Sequence, residues 1–298
     1  MQIEIFSSTT IDKQKWDDCI NNSSNSLVYA TSTYLDAMAE TWDALIANDY
    51  KIVMPVPWKK KFGIKYISGV PFIQQLGVFG KNLKQEQVDE FIKLFQQTYK
   101  YGDYAFNYLN ATEGATKHNN YILMLSSKYD ILRHFYQSNV EKGLQKAKKF
   151  PLKYEAGNLD ETINIFRELY ADRFKHVTTH HYKNFIELCK RMEEKNDLVI
   201  RRVLNNNELM AAVLLIKDKH RLYNLLMAAT SNGREQSAGP FLYNELIKEF
   251  SQSGMVLDFE GSDIPGIEFF YKGFGAINQP YSRMHINNLK FPLRLFKR

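Results

Sequence analysis

The sequence predicts a mixed α/β protein of two domains in tandem, each a mixed, largely antiparallel sheet flanked by helices. One observation is size: the chain has 298 residues, 44% hydrophobic and 14% aromatic, so it exceeds one average domain and can bury a core. The other is order. Each half predicts a strand, helices, an antiparallel meander, a helix, a strand, a further helical segment and a strand. The halves share this order but no repeated sequence.

The elements of the first half follow from the spacing of its apolar residues. The start, MQIEIFSS, alternates as a strand does. Val88, Phe91 and Phe95 recur at helical spacing. A stretch rich in Gly, Pro and Gln, 70–80, is expected to be a loop that lines a cleft. Helices are predicted at 11–20, 34–42 and 84–99, and further strands at 44–47, 51–59, 64–68, 104–109 and 121–125.

A shift in composition marks the second half. From Ser126 the chain is helical and increasingly basic, which predicts a boundary near residue 130 and domains at 1–130 and 131–286. Apolar periodicity and polar turns then define the remaining elements. Strands are predicted at 152–155, 198–204, 209–217, 221–228, 255–259 and 281–286, and helices at 159–174, 182–194 and 239–251.

Charge, apolar runs and cysteine content indicate the kind of partner and the cellular compartment to expect. Thirty-nine basic and 33 acidic residues give a net charge of +6, which favours anionic partners such as phosphates, nucleotides, RNA or the inner leaflet. The start lacks the features of an export signal, and the longest apolar run, 209–216, is far short of the ~20 residues of a spanning helix. We therefore expect a soluble, cytoplasmic protein. Cys19 and Cys189 are expected to be buried thiols without a disulfide.

Several kinds of site are not supported by the sequence. There is no serine-centred nucleophile elbow and no P-loop, so nothing points to a hydrolase or an NTPase. His180 and His181 are adjacent but have no carboxylate or cysteine at ligand spacing. No metal site is predicted.

The stretch 255–276 carries the strongest candidate site. Its first residues alternate as a strand, so Val256, Asp258 and Glu260 are predicted to share one face. A turn and a short helix that ends near Lys272 follow. Two acidic side chains on a buried strand destabilise the fold unless they are ion-paired or in contact with water. The two acids are therefore functional, or surface charges at a strand end, or ion-paired with Lys272 or Arg283.

Four segments together resemble the N-acetyltransferase (GNAT) superfamily, and the doubled architecture resembles its FemAB-like members. The final segment resembles the Asp-Phe-Gly…Phe-Lys-x-x-Phe-Gly block of the Fem transferases, but Glu260 and Gly261 stand where that family usually has glycines, and no long helical arm is inserted. The segments are 136–149 (YQSNVEKGLQKAKK), 208–215 (ELMAAVLL), 224–230 (NLLMAAT) and 258–275.

The resemblance implies two tandem GNAT-like domains and an N-acyltransferase. It would move an acyl or aminoacyl group, from a thioester or an aminoacyl-tRNA, to an amine of a cell-envelope or sugar-nucleotide precursor. No tightly bound cofactor is expected; acyl-CoA or aminoacyl-tRNA would be a co-substrate, and DNA is not expected to bind. The tail, 287–298, would pack back on the first domain or touch a membrane surface. The alternative is a catalytically degenerate GNAT-like protein that binds a ligand or partner.

Four residues are candidates for catalysis, the two acids because of their chemistry and place at the strand end, and Lys272 because of the resemblance. Glu260 would be the general base, Asp258 would orient the amine, and Lys272 would stabilise the charge that develops during transfer. Tyr271 could donate a hydrogen bond to the leaving oxygen, although an aromatic core is the simpler interpretation of its surroundings. For Lys272 the alternative is a solvated helix lysine.

Two further sets of residues are candidates for binding. Gln236 and Gly239 have the spacing of the turn that holds the pyrophosphate of coenzyme A, but Pro240 removes one donor, so a bare helix start is the alternative. Lys142, Lys146 and Arg283 are candidate substrate-binding residues. The two lysines belong to a basic helix that is either solvated or a landing patch for phosphate or RNA.

Overall fold

Two groups of packed elements make up the protein, as a computed structural model shows. The first unit contains Met1–His118 together with the chain from Pro280 onward, and the second contains Asn119–Gln279. The structure describes residues 1–61, 63–261 and 263–291. Within these ranges, no helix has both the length and the apolar character needed to cross a membrane.

Most elements lie where the apolar periodicity predicts them. The strands are β1 (Ile3–Ser7), β2 (Trp42–Ala47), β3 (Ile52–Lys61), β4 (Ile64–Ile67), β5 (Phe79–Gly80), β6 (Tyr101–Phe106), β7 (Thr116–His118), β8 (Tyr121–Met124), β9 (Leu152–Ala156), β10 (Leu198–Asn205), β11 (Glu208–Lys217), β12 (Arg221–Ala229), β13 (Val256–Asp258), β14 (Ile277–Asn278) and β15 (Tyr281–Asn287). The helices are α1 (Lys13–Asn22), α2 (Ser32–Met38), α3 (Gln85–Thr98), α4 (Tyr129–His134), α5 (Ser138–Ala147), α6 (Leu159–Tyr170), α7 (Thr179–Glu194), α8 (Ser231–Glu235), α9 (Ala238–Phe250) and α10 (Pro265–Lys272).

The first unit has two antiparallel sheets. The larger has the strand order β1-β2-β3-β4, with β5 also paired to β3, and the smaller has the order β6-β15-β7. Helix α1 begins where the Asp12 carboxylate accepts a hydrogen bond from the Lys15 backbone N–H at 3.1 Å, and its apolar face buries Trp16 and Ile20. Helix α3 likewise buries the predicted stripe of Val88, Phe91 and Phe95.

Asparagine side chains hold the loop that precedes β5. The amide nitrogens of Asn25 and Asn110 donate to the Val78 carbonyl oxygen at 2.8 and 3.1 Å. At Gly77, where φ is +116°, a Cβ would lie 2.2 Å from Oδ1 of Asn110, so the close approach requires glycine. The loop predicted at 70–80 is therefore tied to the core of its own unit. Its expected role in lining a cleft stays a prediction.

One seven-stranded sheet forms the second unit, in the order β14-β8-β13-β12-β11-β10-β9. Its one parallel pair is β12 with β13, and helix α9 makes the crossover between them. The remaining neighbours are antiparallel. Helix α9 buries Leu242, Tyr243, Leu246 and Ile247 in the core of this unit.

Strand pairing divides the chain at points that differ from the predicted domains 1–130 and 131–286. Strand β8, predicted before the boundary, pairs with β13 and β14 of the second unit. Strand β15, predicted to close the second domain, pairs with β6 and β7 of the first. Hydrogen bonds between distant strands leave no local trace in composition, so the shift near Ser126 marks only the approach to helices α4 and α5.

The predicted tail begins where β15 ends. Asn288, the next residue, donates its backbone N–H to the Lys100 carbonyl oxygen at 2.7 Å, within the first unit. Residues 292–298, on which most of the tail prediction rests, lie outside the described residues.

Candidate active site

The site is built where strands β12 and β13 part. Their pairing runs from Arg221 opposite Val256 to Tyr223 opposite Asp258 and stops there. One residue further on, Asn224 bridges the divergence: its Nδ2 donates to the Tyr243 hydroxyl at 2.8 Å and to the Phe259 carbonyl oxygen at 3.4 Å. On its other side, β12 shifts register against β11, so Leu225 has no opposite residue and forms a bulge. The strand therefore turns away from β13 at this point.

Glu260 follows the end of β13 in a left-handed conformation, with φ at +58°. Its backbone N–H donates to Oδ1 of Asp258 at 3.0 Å, which stabilises this turn. Gly261 is required next, because a Cβ there would lie 1.8 Å from the Asn119 carbonyl oxygen. The strand alternation thus ends at Asp258, and the prediction that Glu260 continues the strand face of Val256 and Asp258 is wrong.

One oxygen of the Glu260 carboxyl group is buried without a partner among the described residues. Its Oε1 atom is shielded from solvent and makes no hydrogen bond with any residue of the described ranges. Burial disfavours the charged form and raises the pKa of Glu260 to about 8. The side chain can therefore exchange a proton near neutral pH.

Tyr271, on helix α10, lies beside this carboxyl group. Its ring stacks on Phe259 with centroids 4.6 Å apart and lies edge-on to the ring of Tyr243, at 6.4 Å between centroids. Burial, and then the negative charge of Glu260, raise the pKa of Tyr271 above its usual range. The hydroxyl consequently stays protonated.

Asp258 is engaged in structure. It is 1% exposed; its Oδ2 is ion-paired with the buried guanidinium of Arg221, and its Oδ1 accepts the Glu260 N–H. Arg221 also donates to Oε1 of Gln279 at 3.1 Å from two of its nitrogens. Both carboxylate oxygens are thus occupied. The ion-pair partner of Asp258 is therefore Arg221 and not the expected Lys272 or Arg283.

The other two predicted cations lie elsewhere. Lys272 is exposed, and its Nζ is 2.5 Å from Oε1 of Glu268, one helical turn away, so its surroundings match those of a solvated helix lysine. Arg283 lies in the first unit on β15, with its Nε 4.0 Å from Oδ1 of Asp103. The catalytic role of Lys272 and the binding role of Arg283 stay predictions.

The predicted pyrophosphate turn is closely packed. Gly239 is buried at the start of α9, where a Cβ would lie 3.2 Å from Cε of Met227, and the Pro240 ring packs against Gly143 of α5. The side-chain oxygen of Gln236 accepts a hydrogen bond from Asn205 at 2.6 Å. These contacts favour the bare helix start over a coenzyme A cradle.

Lys142 and Lys146 lie on α5 as predicted, exposed along an open groove of about 560 Å³. The groove is separate in sequence from the residues around Glu260. His181, the second of the adjacent histidines, caps α7: its Nδ1 accepts the Thr178 N–H at 3.1 Å. The part of the chain that the structure describes contains no group of three potential metal ligands.

The sequence singles out Glu260 and Tyr271 as candidates, and their functional roles stay predictions; it does not single out the neighbouring Arg221, Asn224 and Tyr243. The sequence pattern weakly indicates Asn224, since it is a polar residue inside an apolar strand. It does not indicate Arg221 or Tyr243, because an arginine at the start of a strand and a tyrosine in the apolar stripe of a helix are common structural residues.

Comparison with known proteins agrees with this architecture. Residues 136–272 match the sequence model of a family described as the acetyltransferase (GNAT) domain. No curated protein sequence matches the chain. The chain is similar to the crystal structure of FemX, with a TM-score of 0.70 and 12% identity over 99% of each chain.

Two other solved structures are also similar over nearly their whole length. A tandem GNAT protein from the clavulanic acid biosynthesis pathway has a TM-score of 0.56 and 9% identity, over 95% of this chain and 98% of that one. L-PGS from Bacillus licheniformis has a TM-score of 0.51 and 11% identity, over 96% and 95%. At such identities the likeness concerns the fold.

The fold is thus that of tandem GNAT-like proteins, similar to that of FemX, and the acetyltransferase (GNAT) domain matched at 136–272 supports an N-acyltransferase. The predicted fold class, two tandem GNAT-like domains with mixed sheets flanked by helices, is confirmed.

Proposed function

We propose that the protein transfers an acyl or aminoacyl group to the nitrogen of an amine, with Glu260 as the base that takes the proton from that nitrogen. One observation carries the proposal: a buried carboxyl oxygen without a partner among the described residues, in a group whose pKa burial raises to about 8. Leaving such a group unpaired costs folding free energy, and placing it at the end of a strand in a GNAT domain suits proton transfer.

The proposed step needs no covalent enzyme intermediate. The amine nitrogen attacks the carbonyl carbon of the donor, the new C–N bond forms, and the amine proton passes to the Glu260 carboxylate. The bond from the carbonyl carbon to the leaving sulfur or oxygen then breaks. Tyr271 donates a hydrogen bond to that leaving atom, which finally receives the proton held by Glu260.

Asn224 and Tyr243 act as positioning residues in this proposal. Asn224 donates to the Tyr243 hydroxyl at 2.8 Å and also contacts the Phe259 carbonyl, which fixes the position of Tyr243. The rings of the fully buried Tyr243 and of Phe259 pack against that of Tyr271 and so position its phenol.

The test is the variant Glu260→Gln, which keeps the shape of the side chain but cannot accept a proton. We expect kcat to fall by about 10²-fold or more, with KM little changed. In the wild type, a pKa of about 8 leaves about one molecule in ten with a carboxylate at pH 7, so the rate should rise with pH up to about 8. That rise should vanish in the variant. A variant with wild-type turnover and the same pH profile would refute the assignment.

For the substrates, we propose an acyl thioester or an aminoacyl-tRNA as donor and an amine of a cell-envelope or sugar-nucleotide precursor as acceptor. The acetyltransferase description of the matched domain supports a thioester, and the fold shared with FemX and L-PGS supports the aminoacyl alternative. Thermal-shift measurements with acetyl-CoA, longer acyl-CoAs and UDP-sugars test the small ligands, since binding to the native state raises Tm. A tRNA donor should bind with a steep salt dependence.

A second candidate function is ligand binding by a GNAT fold without catalysis. The packed start of α9, with Gly239 buried beneath Met227, favours it, because a conventional acetyl-CoA site needs open backbone donors at that point. Wild-type protein that binds donor and acceptor but forms no product would support this function. Loss of turnover in Glu260→Gln with unchanged ligand binding would support the transferase.

A further inference from the structure

Three large apolar side chains are exposed where helices α4 and α10 end. Ile131 and Phe135 are four residues apart, at α4 and its C-terminal cap, and are 52% and 63% exposed. Phe269 on α10 is 58% exposed. Single exposed apolar residues are ordinary on a protein surface, but a group of three in adjoining elements marks a surface that binds something.

Close backbone contacts join these elements. The Gln137 N–H, after α4, donates to the Gly273 carbonyl oxygen at 2.8 Å, and the Gly273 N–H bonds the Phe269 carbonyl oxygen at 3.1 Å. Gly275 lies so near Phe135 that a Cβ on it would be 2.9 Å from the Phe135 Cβ. The ends of α4 and α10 therefore meet at the start of α5.

Lysines continue this surface along α5. Lys142 and Lys146, four residues apart, share one side of the helix, Lys149 lies two residues past its end, and all three are exposed along the open groove. None of the three is ion-paired within the ranges that the structure describes. The acidic residue of the groove, Glu141, is instead neutralised by Arg133 at 3.0 Å. The groove therefore presents unopposed positive charge beside the apolar group.

We propose that this combined surface, the α4–α5 surface (Ile131, Phe135, Phe269, Lys142, Lys146 and Lys149), docks the protein on the anionic headgroup layer of a lipid bilayer. The apolar side chains enter the boundary between headgroups and acyl chains while the lysines meet the lipid phosphates. Such docking needs both signals, because one alone gives only marginal binding.

Lipid is favoured over RNA by the chemistry of the apolar group. Single-stranded nucleic acid is held by bases that stack on aromatic rings, and an aliphatic side chain offers no such face. Ile131 is 52% exposed beside the two exposed phenylalanines, and an acyl chain accommodates all three side chains. The docking goes beyond the transfer reaction and does not depend on it.

The experiment is co-sedimentation of the full chain with vesicles of phosphatidylcholine alone and of phosphatidylcholine mixed with phosphatidylserine. We expect binding to the mixed vesicles that weakens with added salt. The double variant Ile131→Ser with Phe135→Ser, and the triple variant Lys142→Glu with Lys146→Glu and Lys149→Glu, should each bind about tenfold more weakly or worse. All five side chains are exposed, so the melting temperature should stay near that of the wild type.

A matched control separates this surface from net charge. Lys81→Glu, Lys93→Glu and Lys219→Glu change three other exposed lysines and alter the net charge by the same amount. This control should bind mixed vesicles nearly as the wild type does, and Glu260→Gln should bind identically, because docking needs no turnover. The proposal is overturned if wild-type protein ignores the mixed vesicles, if the control is as weak as the α4–α5 variants, or if those variants lose tRNA binding while vesicle binding survives.

Discussion

Two regions at the end of β13 hold a buried acid each, and they differ in what balances its charge. In the paired region, one carboxylate oxygen of Asp258 is ion-paired with Arg221 and the other accepts a hydrogen bond from the Glu260 N–H. In the unpaired region, two residues later, Oε1 of Glu260 has no described partner, and burial raises its pKa to about 8. A buried carboxyl group can be stabilised in two ways. A neighbouring cation balances its negative charge and gives it a structural role, whereas a bound proton keeps it neutral and available for proton transfer.

The turn between the two acids produces this difference. Had the strand continued, both side chains would leave the same face and could share one cation. Because Glu260 instead adopts a φ of +58°, its side chain leaves the strand pattern and lies near Tyr271. A left-handed non-glycine residue stores strain, and such residues concentrate at functional sites.

The largest effect is expected in the paired region. Asp258→Asn leaves the Arg221 guanidinium buried without its counter-charge, which should lower the free energy of unfolding by about 3–5 kcal/mol. Urea denaturation of the purified variant measures this. The double variant Asp258→Leu with Arg221→Met removes both charges and should recover much of the loss. If the single variant unfolds at the wild-type urea concentration, the ion pair is not what makes Asp258 structural.

The unpaired region should respond to pH. Folding raises the pKa of Glu260 from 4.5 to about 8, so its contribution to stability is fully present below pH 4.5 and is lost as the pH rises through about 8. Glu260→Gln cannot ionise and should not show this loss. We expect the free energies of unfolding of wild type and variant, from urea denaturation at each pH, to diverge with rising pH, in favour of the variant, by a few kcal/mol at most. Parallel curves from pH 5 to pH 9 would contradict the buried carboxyl group.

Removal of the Tyr271 hydroxyl tests the contact between the unpaired acid and its neighbour. Tyr271→Phe keeps the stacking on Phe259 but removes one hydrogen-bond donor, which should lower kcat about tenfold. Steady-state kinetics at saturating substrate measures this. Tyr121→Phe, at a ring 6.5 Å from that of Tyr271, is a matched control and should change kcat much less.

The smallest effect is expected for Lys272. Because its ammonium is exposed and paired with Glu268 within the same helix, Lys272→Ala should change kcat by less than about twofold. Glu268→Ala is the matched control. A large loss in Lys272→Ala alone would restore the charge-stabilising role that the resemblance suggests.

Local patterns predicted much of the fold and part of the site. Helix α3 and strand β11 lie within two residues of their predicted bounds, because apolar spacing reports directly on the buried face of an element. The short elements were missed: α8 and β14 are too brief to show a period. Glu260 was singled out as an acid near the end of a predicted strand, and Tyr271 by its place in the block that resembles the Fem transferases, whereas their neighbour Tyr243 was indistinguishable from any core residue of α9.

The sequence by itself determined the element order, the tandem GNAT-like class and the two acids as candidates, since each depends on residues close together in the chain. Only the tertiary structure decided which acid is ion-paired and which has a carboxyl oxygen without a partner among the described residues. That outcome depends on Arg221, 37 positions before Asp258, and on the point where β12 and β13 part. The assignment of β8 and β15 to their sheets was likewise decided by pairing between distant strands, which no local pattern encodes.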